Sequence, residues 1–265
     1  MRVDGAMRNC RGFTLIEFSI VLVVVGFLIG GVLVARDMIR NSEIRSVIAE
    51  YNEFETAVIK FKDKYGGLPG DIANATAFFG ASDHCPGAHN QGTTDGRTCN
   101  GNGNWKISYI GPHTSPTHNE VFRFWQQLSA AGLINGTYDG VTTSPTGYFL
   151  GVGKTNSPAS KLANGFWGAH NVDGSSSIFN QNYDPYKLNL GARAGTSWNS
   201  GGVLTGSEAW LIDTKMDDGK PGAGGLISVR VHSHCTNAVN DADTAASYVN
   251  SSVRSCFLVF RTKMR

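Results

Sequence analysis

Glu17 is the one charged residue in an apolar stretch that runs through residues 13–35. A carboxylate in hydrocarbon costs roughly 2.5–3.5 kcal/mol even on a mild insertion scale, so it needs a partner. Cleavage of the chain after Gly12 would create a cationic amine on Phe13, four residues before the carboxylate. That amine pairs either with Glu17 of its own chain or with Glu17 of a neighbouring chain, and only the second pairing would drive assembly.

A second group of carboxylates lies in a short acidic segment near the C-terminal end, where Asp213, Asp217 and Asp218 precede Gly219. Like charges repel at close range, and a hard cation such as calcium, which takes oxygen ligands, relieves that repulsion. The spacing does not match an EF-hand loop. The alternative interpretation is a solvated acidic turn in which these residues only shape the backbone.

Two further clusters contain residue types that ligate metals. The first is the alternating Asn–Gly run at 100–104, but uncharged amides bind calcium weakly, so a flexible turn is the better interpretation. The second consists of His232, His234 and Cys235, for which the sequence offers no second group of zinc ligands.

Five cysteines become an even set once Cys10 is assigned to the segment before the cleavage point. The four others allow three pairings, or four free buried thiols as an alternative. Proximity along the chain favours Cys85–Cys99 and Cys235–Cys256. Two disulfides would place these residues in an oxidising compartment outside the cytoplasm.

The elements that position these groups begin with the apolar stretch itself. At about 1.5 Å per residue, a helix over 13–35 spans a hydrocarbon core of roughly 30 Å. Three arginines in residues 1–12 favour a cytoplasmic location for that leader, although Arg36 and Arg40 on the far side weaken the argument. A secretory signal would be cut after its apolar region, whereas the processing point here precedes it.

The string G-F-T-L-I-E, followed by F-S-I-V-L-V-V-V-G, resembles the processing site of type IV pilins and type II secretion pseudopilins. The resemblance implies that a prepilin peptidase cuts after Gly12 and methylates Phe13, and that Glu17 registers an incoming subunit in a filament. It also implies calcium in the loop of Asp213, Asp217 and Asp218. Many pilins carry a proline late in the apolar helix, where this chain has Val34.

An apolar stripe at 3-4-3-4 spacing continues the helix beyond the membrane segment. It consists of Ile44, Val47, Tyr51, Phe54, Val58, Phe61 and Tyr65. We therefore predict one helix over 13–65, which ends at the Gly-Gly-Leu-Pro run of 66–69. The predicted organisation is a leader (1–12), a transmembrane and filament-core helix (13–40) and a globular periplasmic head (41–265).

The head is predicted to be α+β, with a small antiparallel sheet packed on residues 44–65. Helices are expected at 72–79, with Asp71 as N-cap, and at 120–131. Strands are expected at 209–214, 225–232 and 256–261. Residues 135–207 are rich in Gly, Ser, Asn and Thr and are assigned only to short strands and loops.

The charge balance argues against nucleic acid as a partner. The chain has 23 Lys and Arg and 21 Asp and Glu, and removal of the leader leaves 20 of each. No nucleophile elbow or nucleotide-binding glycine motif occurs, so no enzyme is predicted. The expected partners are copies of the chain itself, the peptidase and inner-membrane assembly machinery. The expected location is the bacterial inner membrane, then a periplasmic or cell-surface filament. The alternative is a membrane-anchored periplasmic binding protein or enzyme.

Overall fold

A computed structural model describes residues 14–83, 85, 93–107, 120–141, 152–171, 186–194, 199–228, 234–240 and 243–262. The chain divides into two compact units, Met1–Ser42 and Glu43–Arg265. Gly12 and Phe13, the residues of the predicted processing point, lie outside the described residues. Within them the fold is α+β, as the sequence predicts.

Helix α1, Leu15–Tyr65, has 51 residues and confirms the prediction of one long helix. Side chains from residues 14 to 39 are exposed, and this part is long and apolar enough to cross a membrane. The helix ends where Gly66 adopts a φ of +76°, and its N–H bonds the carbonyl of Lys62 at 2.8 Å. A glycine in this left-handed conformation is the usual way to stop a helix.

The second part of α1 buries the predicted apolar stripe from Ile44 to Phe61, and Tyr65 is half-buried. Two carboxylates that a surface helix would normally expose, Glu50 and Glu55, are also buried here. Burial of charged groups requires compensating hydrogen bonds. Glu50 and Glu55 therefore need hydrogen-bond donors in the core, in addition to the apolar contacts of the stripe.

The next helices along the described part of the chain are shorter and lie in the second unit. Helix α2 comprises Ala75–Phe79 and α3 comprises Glu120–Ala130, close to the predicted bounds. The N-cap prediction was wrong, because Asn74 rather than Asp71 precedes α2. Asp71 instead accepts backbone hydrogen bonds from Asn104 at 3.1 Å and from Trp105 at 2.8 Å, and so fixes a distant loop.

Within the described ranges, four strands form one antiparallel sheet in the order β1-β2-β4-β3. Their bounds are Phe166–His170 (β1), Lys187–Gly191 (β2), Leu226–Ser228 (β3) and Leu258–Arg261 (β4). The last two lie within the predicted strands at 225–232 and 256–261, and the first two lie in the segment 135–207. Leu188 faces Phe260 across the β2–β4 pair, which sets the register.

The predicted strand at 209–214 was wrong, because these residues belong to helix α4, Gly206–Met216. The side chain of Thr205 accepts the N–H of Glu208, and the Glu208 carboxylate accepts the N–H of Thr205 at 2.8 Å. This reciprocal capping box satisfies two of the N–H groups that a helix start leaves open. The pattern T-G-S-E at 205–208 could have predicted it.

One face of the sheet packs against the second part of α1. Tyr51 stacks on Phe260 with ring centroids 4.8 Å apart, and Phe54 contacts both Trp125 and Trp167 edge-on, at 5.0 and 5.4 Å. Aromatic contacts in these geometries add to the stabilisation from burial. The core of the second unit therefore joins α1, α3 and the sheet.

Candidate functional site

The first turn of α1 is organised around Glu17. Its Oε2 accepts hydrogen bonds from the backbone N–H and from the hydroxyl of Thr14, each at 2.8 Å. The Thr14 Oγ1 in turn accepts the N–H of Glu17 at 3.3 Å. This is the capping-box arrangement, with Thr14 as the N-cap residue. The T-L-I-E string carries that signal, although the prediction of a helix from residue 13 rested on apolar character alone.

The geometry leaves part of the carboxylate open. Among the residues that the structure describes, Oε1 of Glu17 has no hydrogen-bond partner, and the whole side chain is exposed. One oxygen is therefore held by its own helix while the other faces outward. A cationic group from outside this turn would meet a carboxylate that is already oriented.

The surface around this turn is apolar on every side of the helix. Large side chains from Leu15 to Ile39 are exposed. A Cβ added at Gly26, Gly30 or Gly31 would meet no atom within 4 Å. Exposed apolar surface of this extent is stable only in a bilayer or against other apolar helices.

The acidic residues near the C-terminal end converge where α4 ends. Asp213 lies in the last turn of α4, Asp217 is its C-cap residue and Asp218 follows. One carboxylate oxygen from each lies within 4.8 Å of the others. The sequence prediction that these three carboxylates lie together agrees with this arrangement.

Backbone and hydroxyl donors hold each of the three carboxylates. Asp213 accepts the Tyr248 hydroxyl at 2.7 Å and the Gly219 N–H at 3.1 Å. Asp217 Oδ2 accepts the N–H groups of residues 225 and 226, and Asp218 Oδ1 accepts that of residue 220. These bonds shape the loop in the way that the acidic-turn interpretation requires.

The electrostatics of Asp213 reflect this crowding. Burial, with a smaller contribution from the charges of Asp217 and Asp218, raises its pKa from 3.8 to about 7. The bonds from Tyr248 and Gly219 oppose the rise. A cation would favour the ionised form, and carboxylate oxygens are ligands that calcium prefers. The donor set therefore fits a hard divalent cation as well as an acidic turn.

The Asn–Gly run at 100–104 uses its amide oxygens within the protein. The side chain of Asn100 accepts the N–H of Thr76 at 2.9 Å, and that of Asn102 accepts the N–H of Asn104 at the same distance. Asn104 does the same for Lys106. These oxygens organise a turn, which agrees with the interpretation that the sequence favoured over calcium.

The cysteines form two disulfides in the structure, Cys85–Cys99 and Cys235–Cys256. This is the pairing that proximity along the chain favours. Because Cys235 is bonded to Cys256, it offers no thiolate to a metal. His232, the other end of the weak zinc cluster, lies outside the described residues.

A cleft of about 360 Å³ also opens on the second unit. It is lined by Val152, Gly153, Asn164, Phe166, Ala192 and Arg193. Among these described residues only Arg193 has a charged side chain. A single guanidinium lacks the paired acid and base, or nucleophile and base, that most enzymatic mechanisms require.

Comparison with known families gives one match. The family model described as the prokaryotic N-terminal methylation motif matches residues 7–33. The match includes Gly12, Phe13, Thr14 and Glu17 and does not extend to the second unit. Searches of curated proteins and of solved structures found no significant match.

Proposed function

We propose that this chain, whose N-terminal match supports its place in the type IV pilin and type II secretion pseudopilin family, is a structural filament subunit. The match at residues 7–33 is the observation that carries the proposal. The family motif supports a precursor that a prepilin peptidase processes. We propose that cleavage follows Gly12 and that the new terminus on Phe13 is methylated.

In the proposed assembly step, Glu17 of one subunit neutralises the amine of Phe13 on an adjacent subunit. The outward Oε1 supports this role, because Thr14 already holds the other oxygen. The apolar surface of residues 15–39 would pass from lipid to the apolar helices of neighbouring subunits. Such a transfer leaves the apolar surface covered at every stage.

We place the precursor in the bacterial inner membrane with residues 41–265 in the periplasm, and the polymer in the periplasm or at the cell surface. The anchoring is supported by the apolar part of α1, which is long enough to cross a membrane and exposes large apolar side chains. The two disulfides support exposure of the second unit to an oxidising compartment. The inner-membrane assembly machinery would then be a partner.

We also propose calcium as a ligand of Asp213, Asp217 and Asp218. Their oxygens would supply negative charge to the cation, which would offset the mutual repulsion of the three carboxylates. The Gly219 N–H from the same loop and the Tyr248 hydroxyl from a later loop would orient Asp213 toward its neighbours.

The competing proposal is a membrane-anchored periplasmic binding protein or enzyme that uses α1 only as a tether. A cluster of titratable residues in a cleft would support it, whereas the described lining of the 360 Å³ cleft contains a single charged side chain, the guanidinium of Arg193. We therefore prefer the structural role.

Intact mass spectrometry of the protein from cell membranes, with electron microscopy of filaments sheared from the same cells, tests the proposal. We expect a subunit that begins at N-methylated Phe13 and helical filaments that contain it. A mature terminus beyond Ala35 would indicate a conventional signal peptide and overturn the filament role. A terminus at Phe13 in cells with neither surface nor periplasmic filaments would favour the tether.

A further inference from the structure

Four Asn–Gly pairs occur in the chain, and all four lie in described segments. They begin at Asn100, Asn102, Asn135 and Asn164. Asn–Gly is the dipeptide in which an asparagine side chain most readily reacts with the chain itself, because glycine leaves the following amide nitrogen sterically open. The surroundings of each glycine N–H therefore decide which pair reacts.

Three of these N–H groups are engaged. Gly101 donates to the carbonyl of Ile72 at 2.9 Å, and Gly103 donates to the carbonyl of Asp71 at 2.8 Å. Gly165 donates to the carbonyl of Leu162 at 2.9 Å. For each pair, attack by the glycine nitrogen requires that a backbone hydrogen bond first opens.

In two of these pairs the asparagine side chain is also held by a hydrogen bond. The Asn100 oxygen accepts the N–H of Thr76, and the Asn102 oxygen accepts that of Asn104. Gly101 is also packed so tightly that a Cβ there would overlap the Asp71 carbonyl group. The side-chain amides at 100 and 102 therefore have little freedom to rotate toward the nitrogen of the next residue.

Asn135–Gly136 differs from the other three pairs in its hydrogen bonds. Both residues are exposed, and within the described part of the chain the Gly136 N–H has no acceptor. The carbonyl oxygens of this turn are hydrogen-bonded instead. The Tyr138 hydroxyl donates to the carbonyl of residue 135 at 2.9 Å, and the Ser129 hydroxyl donates to the carbonyl of residue 136. The turn therefore stays in place while the reacting nitrogen and the side-chain amide remain open to water.

We infer that Asn135 is a spontaneous modification site, at which the chain deamidates through a succinimide while the protein is folded. The Gly136 nitrogen loses its proton and bonds to Cγ of Asn135, and ammonia leaves. Water then opens the five-membered ring at either carbonyl and gives aspartate or isoaspartate. The step consumes one water, releases one ammonia and needs no enzyme. It does not depend on the proposed filament role.

The product changes the surface in two ways. Either acid adds a negative charge at an exposed position, and isoaspartate also lengthens the main chain by one carbon at a turn whose carbonyls are both hydrogen-bonded. A subunit that persists for a long time after export would accumulate this change. The loop after α3 is thus where we expect chemical ageing of the protein to begin.

The test incubates the full-length protein in detergent at pH 8 in ¹⁸O-labelled water, followed by tryptic digestion and fragmentation that separates aspartate from isoaspartate. The peptide between Arg123 and Lys154 contains a single asparagine, Asn135. Incorporation of ¹⁸O marks reaction before digestion. We expect conversion at Asn135 about tenfold faster than at any other Asn–Gly pair.

A reduced and urea-unfolded sample is the matched control. There all four pairs lose their structural protection, so we expect their rates to converge within a few-fold. Equal rates at the four pairs in the folded protein would overturn the inference. So would a folded protein in which Asn100, Asn102 or Asn164 reacts first, or one in which Asn135 reacts only after unfolding.

Discussion

Glu50 of α1 accepts a hydrogen bond from the indole Nε1 of Trp167 at 2.7 Å, although 117 residues separate them. The same carboxylate accepts the Ser160 hydroxyl at 2.6 Å and the Lys161 N–H at 2.8 Å. Three donors from a loop and a strand thus meet one buried acid on the helix. This contact fixes the rotation of α1 against the sheet, because an apolar stripe alone tolerates small slips that a hydrogen bond does not.

Replacement of Glu50 by Gln should therefore lower the free energy of unfolding. The amide keeps one acceptor oxygen but presents an NH₂ group to donors that need an acceptor, so we expect a loss of about 1–3 kcal/mol. Urea unfolding followed by tryptophan fluorescence measures it. Glu53→Gln, at an exposed position three residues further along α1, is the matched control. Equal effects from both variants would show that the buried contact contributes nothing specific.

Periodicity predicted α1 because burial there follows a single regular stripe. It could not predict that Glu50 and Glu55 are buried, because their partners, Trp167 and Tyr186, lie more than a hundred residues away. Helix α4 was mistaken for a strand because its apolar residues suit either structure over a short run. Only local capping at Thr205 distinguishes the two.

The same distinction between local and distant contacts applies to the candidate sites. Spacing along the chain indicated the acidic cluster and the disulfide pairs, because their members are close in sequence. Sequence alone did not indicate that Tyr248 holds Asp213, since that contact joins α4 to a loop 35 residues later. Strand β2 was also beyond local patterns, because Lys187 and Asn189 are buried at strand positions where such residue types are normally exposed.

Asp139 should make stability depend on pH. Burial raises its pKa from 3.8 to about 6, and a bond from the Val141 N–H opposes the rise. The folded protein then holds this proton to a higher pH than the unfolded chain does. The contribution of Asp139 to the free energy of unfolding is fully present below about pH 4 and is lost as the pH rises through about 6. We expect a loss on the order of 1 kcal/mol, given the partial exposure of the group.

The variant Asp139→Asn isolates this effect, because its amide oxygen can still accept the Val141 N–H while its charge does not change. Urea unfolding of both proteins between pH 4 and pH 7 gives the measurement. The variant should gain stability relative to the original chain as the pH rises. A difference between the two that stays constant across this range would contradict the assignment.

Loss of the Cys235–Cys256 disulfide should destabilise the second unit by roughly 3 kcal/mol, because the bond closes a loop with a sequence separation of 21. Cys256 also pairs with Leu204 through two backbone hydrogen bonds, so the released segment borders the core. Thermal unfolding of a double Cys→Ala variant measures the change. A reductant should lower the midpoint of the original chain further than that of the variant, since the variant retains only Cys85–Cys99.

Calcium should raise the thermal midpoint of the metal-stripped protein. A site with free calcium at 100 times its dissociation constant stabilises by about 2.7 kcal/mol. Asp217→Ala should remove most of that increment, whereas Asp243→Ala, in another loop, should keep it. The two variants are compared by how far calcium raises their thermal midpoints rather than by the midpoints themselves. Asp217 also accepts hydrogen bonds from the N–H groups of residues 225 and 226, so its loss lowers the midpoint with or without calcium. Unfolding that is independent of calcium would leave residues 213–219 as an acidic turn.

Glu17→Gln separates the charge of this residue from its hydrogen bonds. The Gln oxygen can still accept both donors of Thr14, so the first turn of α1 should persist. Membrane insertion should be unimpaired or easier, because the carboxylate is the costly group in a bilayer. Cleavage after Gly12 should continue, since the scissile bond is unchanged.

Filament assembly should nevertheless fail or slow severely in this variant. Each added subunit would leave the amine of Phe13 cationic and unpaired in an apolar core, where an uncompensated charge costs far more than in water. Membrane fractions should then contain processed monomer while sheared filaments disappear, which mass spectrometry and electron microscopy measure on the same cells. Thr14→Ser, which keeps the hydroxyl, is the matched control and should assemble normally. If the Gln variant assembles at the original level, the charge of Glu17 pairs only within its own chain, and neutralisation between subunits is not the registering step.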